Sequence, residues 1–285
     1  MKYWLPAALG LAAALLCWCS LAGAARPLII LDPGHDPVYP GAIGTCGESE
    51  YVYNDRIVAA YLPLSSYTVR VTREPGASPR GLHHPLQAVK KDVAQYSLRA
   101  SLQARVNFAN AHRGDMFISI HHDSVPLRHI TTRSDLCDGK GGRTLVPAFR
   151  EKHAIGFNVF IVQDENNPHY RDSLRLAKLI GEALRSMGRP ASSYHYFPED
   201  DCRSCRPVIS DAGVLHQDLF VLRHVRMPAV LIEVGNIVDA EDEAHINTES
   251  FRRAFGQTIN RAVEAYFSSR STDASAQDKK ARGMR

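Results

Sequence analysis

The chain has 285 residues, of which 45% are hydrophobic and 22% are charged, an ordinary composition for a globular protein with a proper core. Its formal charge of +4 is mild for this length and is not clustered, which argues against a nucleic-acid-binding protein. The length allows one large domain or two small ones, and no internal repeat or clean linker divides the sequence.

The N-terminus is typical of a secretory signal peptide. Lys2 precedes an apolar run from Trp4 to about Trp18, and the residues up to Ala24 supply an A-x-A cleavage pattern. The alternative is a transmembrane anchor, but the run is shorter than the roughly 20 apolar residues that span a bilayer. We therefore predict that residues 1–24 are a cleaved signal peptide. The mature protein is then periplasmic or secreted, with no stable membrane insertion.

Hydrophobic periodicity predicts alternating strands and helices along the rest of the chain. In order, it predicts a strand at 27–31, a helix opening at 48–50 and ending before Pro63, a strand at 67–72, a helix at 98–111, strands at 116–121 and 157–163, a helix at 173–187, a strand at 229–234 and a closing helix at 251–267. This alternation predicts the α/β fold class, in which residues 25–267 form a single-domain layer sandwich with helices flanking a mostly parallel twisted sheet.

Four stretches lack such a period. Residues 74–95 and 123–155 are rich in Gly or charged residues and are expected to be long exposed loops, and residues 189–215 are irregular. The polar tail at 268–285 has no apolar residues beyond isolated Ala and Met, so we expect disorder there.

Six cysteines are present, and Cys17 and Cys19 lie in the predicted signal peptide. The four that remain are Cys46, Cys137, Cys202 and Cys205. Export to an oxidising compartment permits disulfides between them, and three pairings are possible. We expect a local bridge within Cys202-x-x-Cys205 and a bridge between Cys46 and Cys137. A zinc site made by all four is the alternative, but only one half of the usual spacing is present.

Three of the predicted strands end on side chains that suit a metal site. Residues 28–35 pass from a buried strand through Pro and Gly to His35, the strand at 116–121 ends on His121, and a later apolar run ends on Glu233. Glu50 lies in the first turn of the helix that follows the first strand, which returns the chain to the same edge. Because ligands bind at the carboxyl ends of strands in open α/β sheets, we expect these four residues to meet.

Two imidazoles and one carboxylate suit a catalytic zinc ion that keeps a fourth position for water, although other divalent ions also bind such a set. A carboxylate outside the ligand set must then move the proton of that water, a role that fits Glu233. Taken singly, His35 also fits a loop histidine, and Glu50 fits a helix-dipole residue. A carboxylate at the end of an apolar run, however, must be paired or functional.

These residues belong to a longer series of motifs. In chain order the motifs are Asp32-Pro-Gly-His35, Gly41-Ala-Ile-Gly44, Glu50-x-x-x-Asn54, Arg105-x-x-x-Ala109-Asn110, Ser119-Ile-His121, and Val221-Leu-Arg223 with Pro228-Ala-Val-Leu-Ile-Glu233-Val-Gly235. Together they make residues 27–267 resemble the zinc-dependent N-acetylmuramoyl-L-alanine amidases of the amidase 3 type. The resemblance implies a zinc ion held by His35, Glu50 and His121, and Glu233 as the catalytic carboxylate. It also implies peptidoglycan as the substrate, hydrolysed at the amide bond between N-acetylmuramic acid and L-alanine.

His121 and His122 are adjacent in the sequence, and only His121 fits the resemblance. His121 completes the Ser-Ile-His pattern, and it shares one side of the predicted strand with Ser119, whereas His122 points to the other side. We expect His122 and Asp123 to shape the site or to orient a ligand. Asp32 is expected to orient either the ligand or the loop.

The chain also departs from the family. Asn236-Ile237 stands where an aromatic residue often follows the glycine, which affects local substrate contacts but not the metal site. No helical insert of the kind that blocks regulated division amidases follows residues 157–163, and no separate wall-binding module is visible. We expect a monomer. Two alternatives stay open: a zinc peptidase or carboxypeptidase acting on stem peptides, and a non-catalytic wall-binding protein with the same fold.

Overall fold

The computed structural model of the protein describes residues 26–80, 97–150, 154–196 and 205–283, with side chains up to residue 272. The predicted signal peptide, most of the predicted loop at 74–95 and Cys202 lie outside the described residues. None of the helices within these ranges combines the length and hydrophobicity that crossing a bilayer requires.

The strands of the described residues form one large sheet and one small one. They are β1 (Leu28–Pro33), β2 (Thr68–Val71), β3 (Met116–Asp123), β4 (Ile130–Arg133), β5 (Gly142–Leu145), β6 (Asn158–Ile161), β7 (Val208–Ser210), β8 (Val214–His216) and β9 (Ala229–Asn236). The seven-stranded sheet has the order β2-β1-β3-β9-β6-β8-β7, and β4 pairs with β5. The large sheet is parallel except where β6 meets β9 and where β7 meets β8.

Helices cover both faces of the large sheet. The helices are α1 (Glu50–Tyr61), α2 (Leu98–His112), α3 (Pro147–Arg150), α4 (Tyr170–Ser186), α5 (Phe220–His224), α6 (Ala240–Ile246) and α7 (Glu249–Gly283). Alternate residues of each strand point to opposite faces, so Ile29 and Leu31 of β1 join the core under α1, α4 and α7, whereas Ile30 joins the core under α2 and α5. This arrangement confirms the predicted α/β layer sandwich with a mostly parallel sheet.

Two predicted irregular stretches contain regular structure. Residues 123–155 hold the β4–β5 hairpin and α3, which share a small core with Val238, so the prediction of one long loop was wrong. Residues 189–215 contain β7 and most of β8, which extend the main sheet. These strands have only three or four residues, too few to show a period, and backbone pairing with distant residues defines them, as when Leu145 N donates to Val238 O.

The tail behaves differently from the prediction as well. Residues 268–283, for which disorder was predicted, continue α7 as a helix. The packed part of α7 supplies the helical nucleus, and once a helix is nucleated each further residue adds a hydrogen bond at little cost.

A disulfide joins Cys46 to Cys137 across a sequence separation of 91 residues, as predicted. It attaches the β4–β5 hairpin to the loop that leads into α1. Cys205 is also disulfide-bonded, and its pairing with Cys202 stays a prediction.

Candidate metal centre and active site

Three side chains converge at the carboxyl edge of the main sheet. The potential ligand atoms of His35, Glu50 and His121 all lie within 4.8 Å of one another. Glu50 is the centre of the group, because its Oε2 lies 3.1 Å from His35 Nε2 and its Oε1 lies 3.0 Å from His121 Nδ1. Two imidazole nitrogens and a carboxylate can therefore face one metal ion.

Neighbouring parallel strands bring the two histidines together. The β1–β3 ladder continues to the end of β1, where the Gly34 N–H donates to Ile120 O over 2.9 Å. The chain then turns at His35, whose φ of 58° lies in the left-handed region. His121 is the next residue of β3, so the two rings meet edge to face with centroids 4.8 Å apart.

Two glycines of the predicted motifs leave the space that the ligands occupy. A Cβ atom on Gly34 would lie 2.1 Å from His121 Nε2, and one on Gly41 would lie 2.4 Å from Glu50 Oε2. Gly41 also has a φ of 78°, which favours glycine. Because His121 Nε2 packs against Gly34, Nδ1 is the nitrogen that this ring presents to the metal position.

The Glu50 carboxylate is buried but fully hydrogen-bonded. Its oxygens accept from Ala42 N over 3.0 Å and from His122 N over 3.1 Å, in addition to their contacts with the two imidazoles. Burial alone would raise the pKa of Glu50, but the charge and hydrogen bonds of His35 and His121 outweigh it and hold the pKa well below its usual value. Glu50 is therefore an ionised carboxylate, as a metal ligand must be.

The surroundings of the two imidazoles shift their pKa values in opposite directions. His35 Nδ1 lies 3.1 Å from Tyr39 O, a contact that fixes the ring and directs Nε2 toward Glu50. Burial lowers the pKa of His121, which favours the neutral ring that binds metals. Burial also lowers the pKa of His35, but the Glu50 carboxylate outweighs it, and the net shift is upward.

Glu233 lies beside this group but is not part of it. It occupies the register position on β9 opposite His121 of β3, and on the other side it is opposite Asn158 of β6. Its Oε2 is buried and has no hydrogen-bond partner among the described residues. Burial, followed by the charges of Asp123 and Glu50, raises the pKa of Glu233 well above its usual value. A carboxyl group in this state is suited to exchange protons rather than to form a fixed ion pair.

Comparison with known proteins decides the family. Residues 29–265 match the family model described as N-acetylmuramoyl-L-alanine amidase. The chain belongs to this amidase family. The match covers all of the described sheet except its first residue, Leu28, and confirms the resemblance that the motifs indicated.

Named relatives of the amidase family agree with this assignment. The N-acetylmuramoyl-L-alanine amidase AmiC of Neisseria meningitidis serogroup B is 26% identical over 259 residues, which are 85% of this chain and 53% of that protein. The probable cell wall amidase LytH of Staphylococcus epidermidis is 23% identical over 85% of this chain and 58% of its own length. The chain thus spans little more than half the length of these relatives.

Solved structures of amidases share the fold. The apo form of the N-acetylmuramyl-L-alanine amidase Ami1 from Mycobacterium abscessus superposes with a TM-score of 0.58 at 20% identity, covering 86% of this chain and all of that one. An N-acetylmuramoyl-L-alanine amidase from Clostridium difficile 630 gives a TM-score of 0.57 at 17% identity, over 86% and 99% of the two chains.

Around the candidate metal centre, Asn54 links two of the predicted segments. Its Nδ2 donates to Gly34 O over 3.0 Å, and its Oδ1 lies 2.7 Å from Nδ1 of the buried His122. Burial lowers the pKa of His122 to about 3, so this ring stays neutral and donates to Asn54. His122 is therefore a structural neighbour of the metal position and presents its backbone N–H, not its ring, to Glu50.

The sequence analysis missed one partner of Asp123, which is His195. His195 Nε2 lies 2.6 Å from Asp123 Oδ2, and the His195 ring packs edge-on against Phe160. His195 lies in a stretch without periodicity, so no signal in the sequence placed it at this edge. Asn236, the departure from the family pattern, is buried; its N–H donates to Asp242 over 2.8 Å and its Oδ1 accepts from Val238 N.

Proposed function

We propose that the protein is a secreted zinc hydrolase that cleaves the amide bond between N-acetylmuramic acid and L-alanine in peptidoglycan. One observation carries the proposal: an unpartnered buried oxygen of Glu233 lies beside a group of three ligand side chains. Membership of the amidase family supports the same chemistry.

The donor set fits a zinc ion. His35 Nε2, His121 Nδ1 and one oxygen of Glu50 are the atoms that would hold it, and such a set of two imidazoles and one carboxylate is typical of catalytic zinc. When bound, the ion supplies Lewis-acid chemistry to the substrate carbonyl and makes water more acidic.

Glu233 has the properties of the acid–base group in this reaction. Its carboxylate accepts a proton from the water molecule that attacks the lactyl carbonyl of the muramic acid. The same proton then passes from Glu233 to the L-alanine nitrogen as the C–N bond breaks, which leaves a carboxyl group on the sugar and a free amine on the peptide. A pKa raised by burial suits both steps, because a carboxylate with a raised pKa is a stronger base toward the water molecule and can still return the proton to the leaving nitrogen.

The remaining aspects of the proposal concern the setting of the enzyme. The leader-like N-terminus supports cleavage after Ala24 and a periplasmic or secreted location. Peptidoglycan is the polymer that the site acts on, and the protein acts as a monomer.

Product analysis of digested cell walls tests the function. Purified peptidoglycan is incubated with the protein, with and without a chelator, and the soluble products are identified by mass spectrometry. We expect intact stem peptides with a free L-alanine amine, unbroken glycan chains and no release in the chelator. Products cut within the stem peptide would identify a peptidase instead. Binding to walls without any product would identify a non-catalytic wall-binding protein.

A further inference from the structure

Two buried arginines approach the segment that carries His35. Arg73 follows β2 and Arg105 lies in the middle of α2, and their side chains are 0% and 2% exposed. Both reach the turn at the end of β1 from different elements. Fully buried arginines are rare, so their contacts need an explanation.

The two guanidinium groups bind three consecutive backbone carbonyls. Pro33 O accepts from Arg73 Nε over 3.0 Å and from Arg105 Nη1 over 2.7 Å. His35 O accepts from Arg73 Nε over 2.7 Å and from Arg105 Nη2 over 2.5 Å. Between them, Gly34 O accepts from Arg73 Nη2 over 3.1 Å. We call this set of contacts, from Arg73 and Arg105 to the carbonyls of residues 33–35, the carbonyl clamp.

Three carboxylates balance the charge of the carbonyl clamp, and the most distant is Asp36, whose Oδ2 lies 3.8 Å from Arg105 Nη2. Arg105 Nη1 lies 2.6 Å from Asp32 Oδ1, and Arg73 Nη1 lies 2.6 Å from Asp55 Oδ1. Burial lowers the pKa of Arg73, and the neighbouring Arg105 charge adds to this effect, whereas Asp55 opposes it. Bringing two like charges to the same carbonyls is costly, and buried ion pairs are weak evidence for a purely stabilising role.

The position of the clamp indicates a local role. His35 has a left-handed backbone, a conformation that is unfavourable for a residue other than glycine and persists only where its surroundings impose it. The clamp holds the carbonyls on both sides of the His35 Cα in place: that of Gly34 before it and its own after it. We propose that Arg73 and Arg105 are positioning residues that impose the left-handed turn at His35 and so place its imidazole for metal binding.

Lysine is the informative substitution at both positions. A guanidinium group donates from several nitrogens in a fixed plane and spans two carbonyls, whereas an ammonium group is a single point of charge. Arg73→Lys and Arg105→Lys therefore keep the charge that Asp55 and Asp32 require. They lose the fork that joins the carbonyls of Pro33 and His35.

The experiment measures Co²⁺ binding to the purified protein, by visible absorption and by competition with a chelator. We expect each lysine variant to bind Co²⁺ about 10- to 100-fold more weakly than the wild type, the usual effect of losing a group that orients a metal ligand. We also expect an altered absorption spectrum, because the geometry at His35 changes. Stability is measured separately, from the urea unfolding of the metal-free proteins in chelator.

Leu176→Ala is the matched control for lost stability. Leu176 is fully buried in α4 and lies one turn from Ser173, whose hydroxyl accepts from Ala229 N at the start of β9, the end of the sheet opposite Glu233. This variant should lose stability while keeping wild-type Co²⁺ affinity and spectrum. If the arginines contributed to stability alone, the lysine variants would also lose stability and keep the wild-type Co²⁺ affinity and spectrum.

Several outcomes overturn the inference. It is wrong if both lysine variants bind Co²⁺ with wild-type affinity and spectrum. If neither variant folds, Asp55→Asn loosens Arg73 more gently, and unchanged Co²⁺ affinity in that variant also overturns the inference. The inference rests on the metal centre of the proposed function. A wild-type protein that fails to bind Co²⁺ would contradict both, whereas wild-type binding with unaffected variants contradicts the clamp alone.

Discussion

Glu50 and Glu233 are glutamates at the same edge of the sheet, but their surroundings shift their pKa values in opposite directions. Both carboxyl groups are desolvated, which by itself raises the pKa of each. For Glu50 the two imidazoles and two backbone N–H donors outweigh this effect, whereas Glu233 has Asp123 and Glu50 as its charged neighbours and an unpartnered oxygen. Such divergence separates a permanent anion from a group that exchanges protons.

We predict that Glu233→Gln retains the metal and loses turnover. Gln has nearly the same shape, but its amide cannot accept and return the proton, so kcat on wall fragments should fall by about 10²- to 10⁴-fold. Metal content and kcat are measured on the same preparation. Glu182→Gln, an exposed change on α4, should leave both unchanged. Near-normal turnover in the Glu233 variant would remove Glu233 from the mechanism.

Gly41 and Gly47, in the loop between β1 and α1, provide a second test. In Gly41→Ala the new methyl group would clash with Glu50 Oε2, so we expect metal affinity to fall by at least about tenfold. Gly47→Ala is the matched control, because Gly47 also has a positive φ, of 87°, but its Cβ would meet nothing within 4 Å. Both variants carry about 1–2 kcal/mol of backbone strain. Equal metal affinities, measured by chelator competition, would show that the clash at Gly41 is relieved without moving Glu50.

At the scale of elements, the β4–β5 hairpin is attached to the loop between β1 and α1. Arg143 N donates to Thr45 O over 3.0 Å, and the disulfide between Cys46 and Cys137 holds the tip of the hairpin to the same loop. This loop also contains Gly41 and leads directly into Glu50. The hairpin therefore holds the loop that leads into Glu50 through contacts outside the main sheet.

The double variant Cys46→Ser with Cys137→Ser should be less stable by about 2–4 kcal/mol. A bridge that closes a loop of some 90 residues restricts the unfolded chain strongly, and that restriction is lost. Urea unfolding without reductant measures the difference, with the wild type as reference. A variant that unfolds at the wild-type urea concentration would show that the hairpin contacts alone hold this region.

At the scale of the molecule, the metal position lies at the edge of a core that does not depend on it. The two large clusters of buried residues lie on the two faces of the sheet, under α1, α4 and α7 on one side and α2 and α5 on the other. The fold should therefore persist without metal. Ions that bind only the native state then add to its stability.

We predict that Zn²⁺ raises the melting temperature without changing the circular dichroism spectrum of the metal-free protein. At a concentration of 100 times Kd, the gain in stability is about 2.7 kcal/mol. His35→Asn should abolish this rise, since Asn tolerates the left-handed backbone but does not replace the imidazole. His224→Asn, which changes an exposed histidine of α5, should melt like the wild type with and without zinc. An unfolded metal-free protein would contradict the independence of the core.

The sequence by itself determined the features that depend on neighbouring residues. The apolar runs marked β1, β3 and β9 because a buried strand needs successive apolar residues. The abrupt change to His35 or Glu233 marked their ends because an apolar core excludes charge. Glycine at positions 34 and 41 was visible as part of the motifs. Strand ends and family motifs together were enough to name His35, Glu50 and His121, whose potential ligand atoms lie within 4.8 Å of one another in the structure.

Only the tertiary structure decided the features that depend on contacts between distant segments. The short strands β4, β5, β7 and β8 carry too few residues for a period and exist because their backbones pair with one another or with the sheet. Arg73 lies 38 residues from His35, yet the parallel pairing of β1 and β2 brings its guanidinium to the His35 carbonyl. His195 likewise meets Asp123 through the fold alone. The physical reason is that hydrogen bonds and ion pairs act over a few ångströms in space, whatever the separation in sequence.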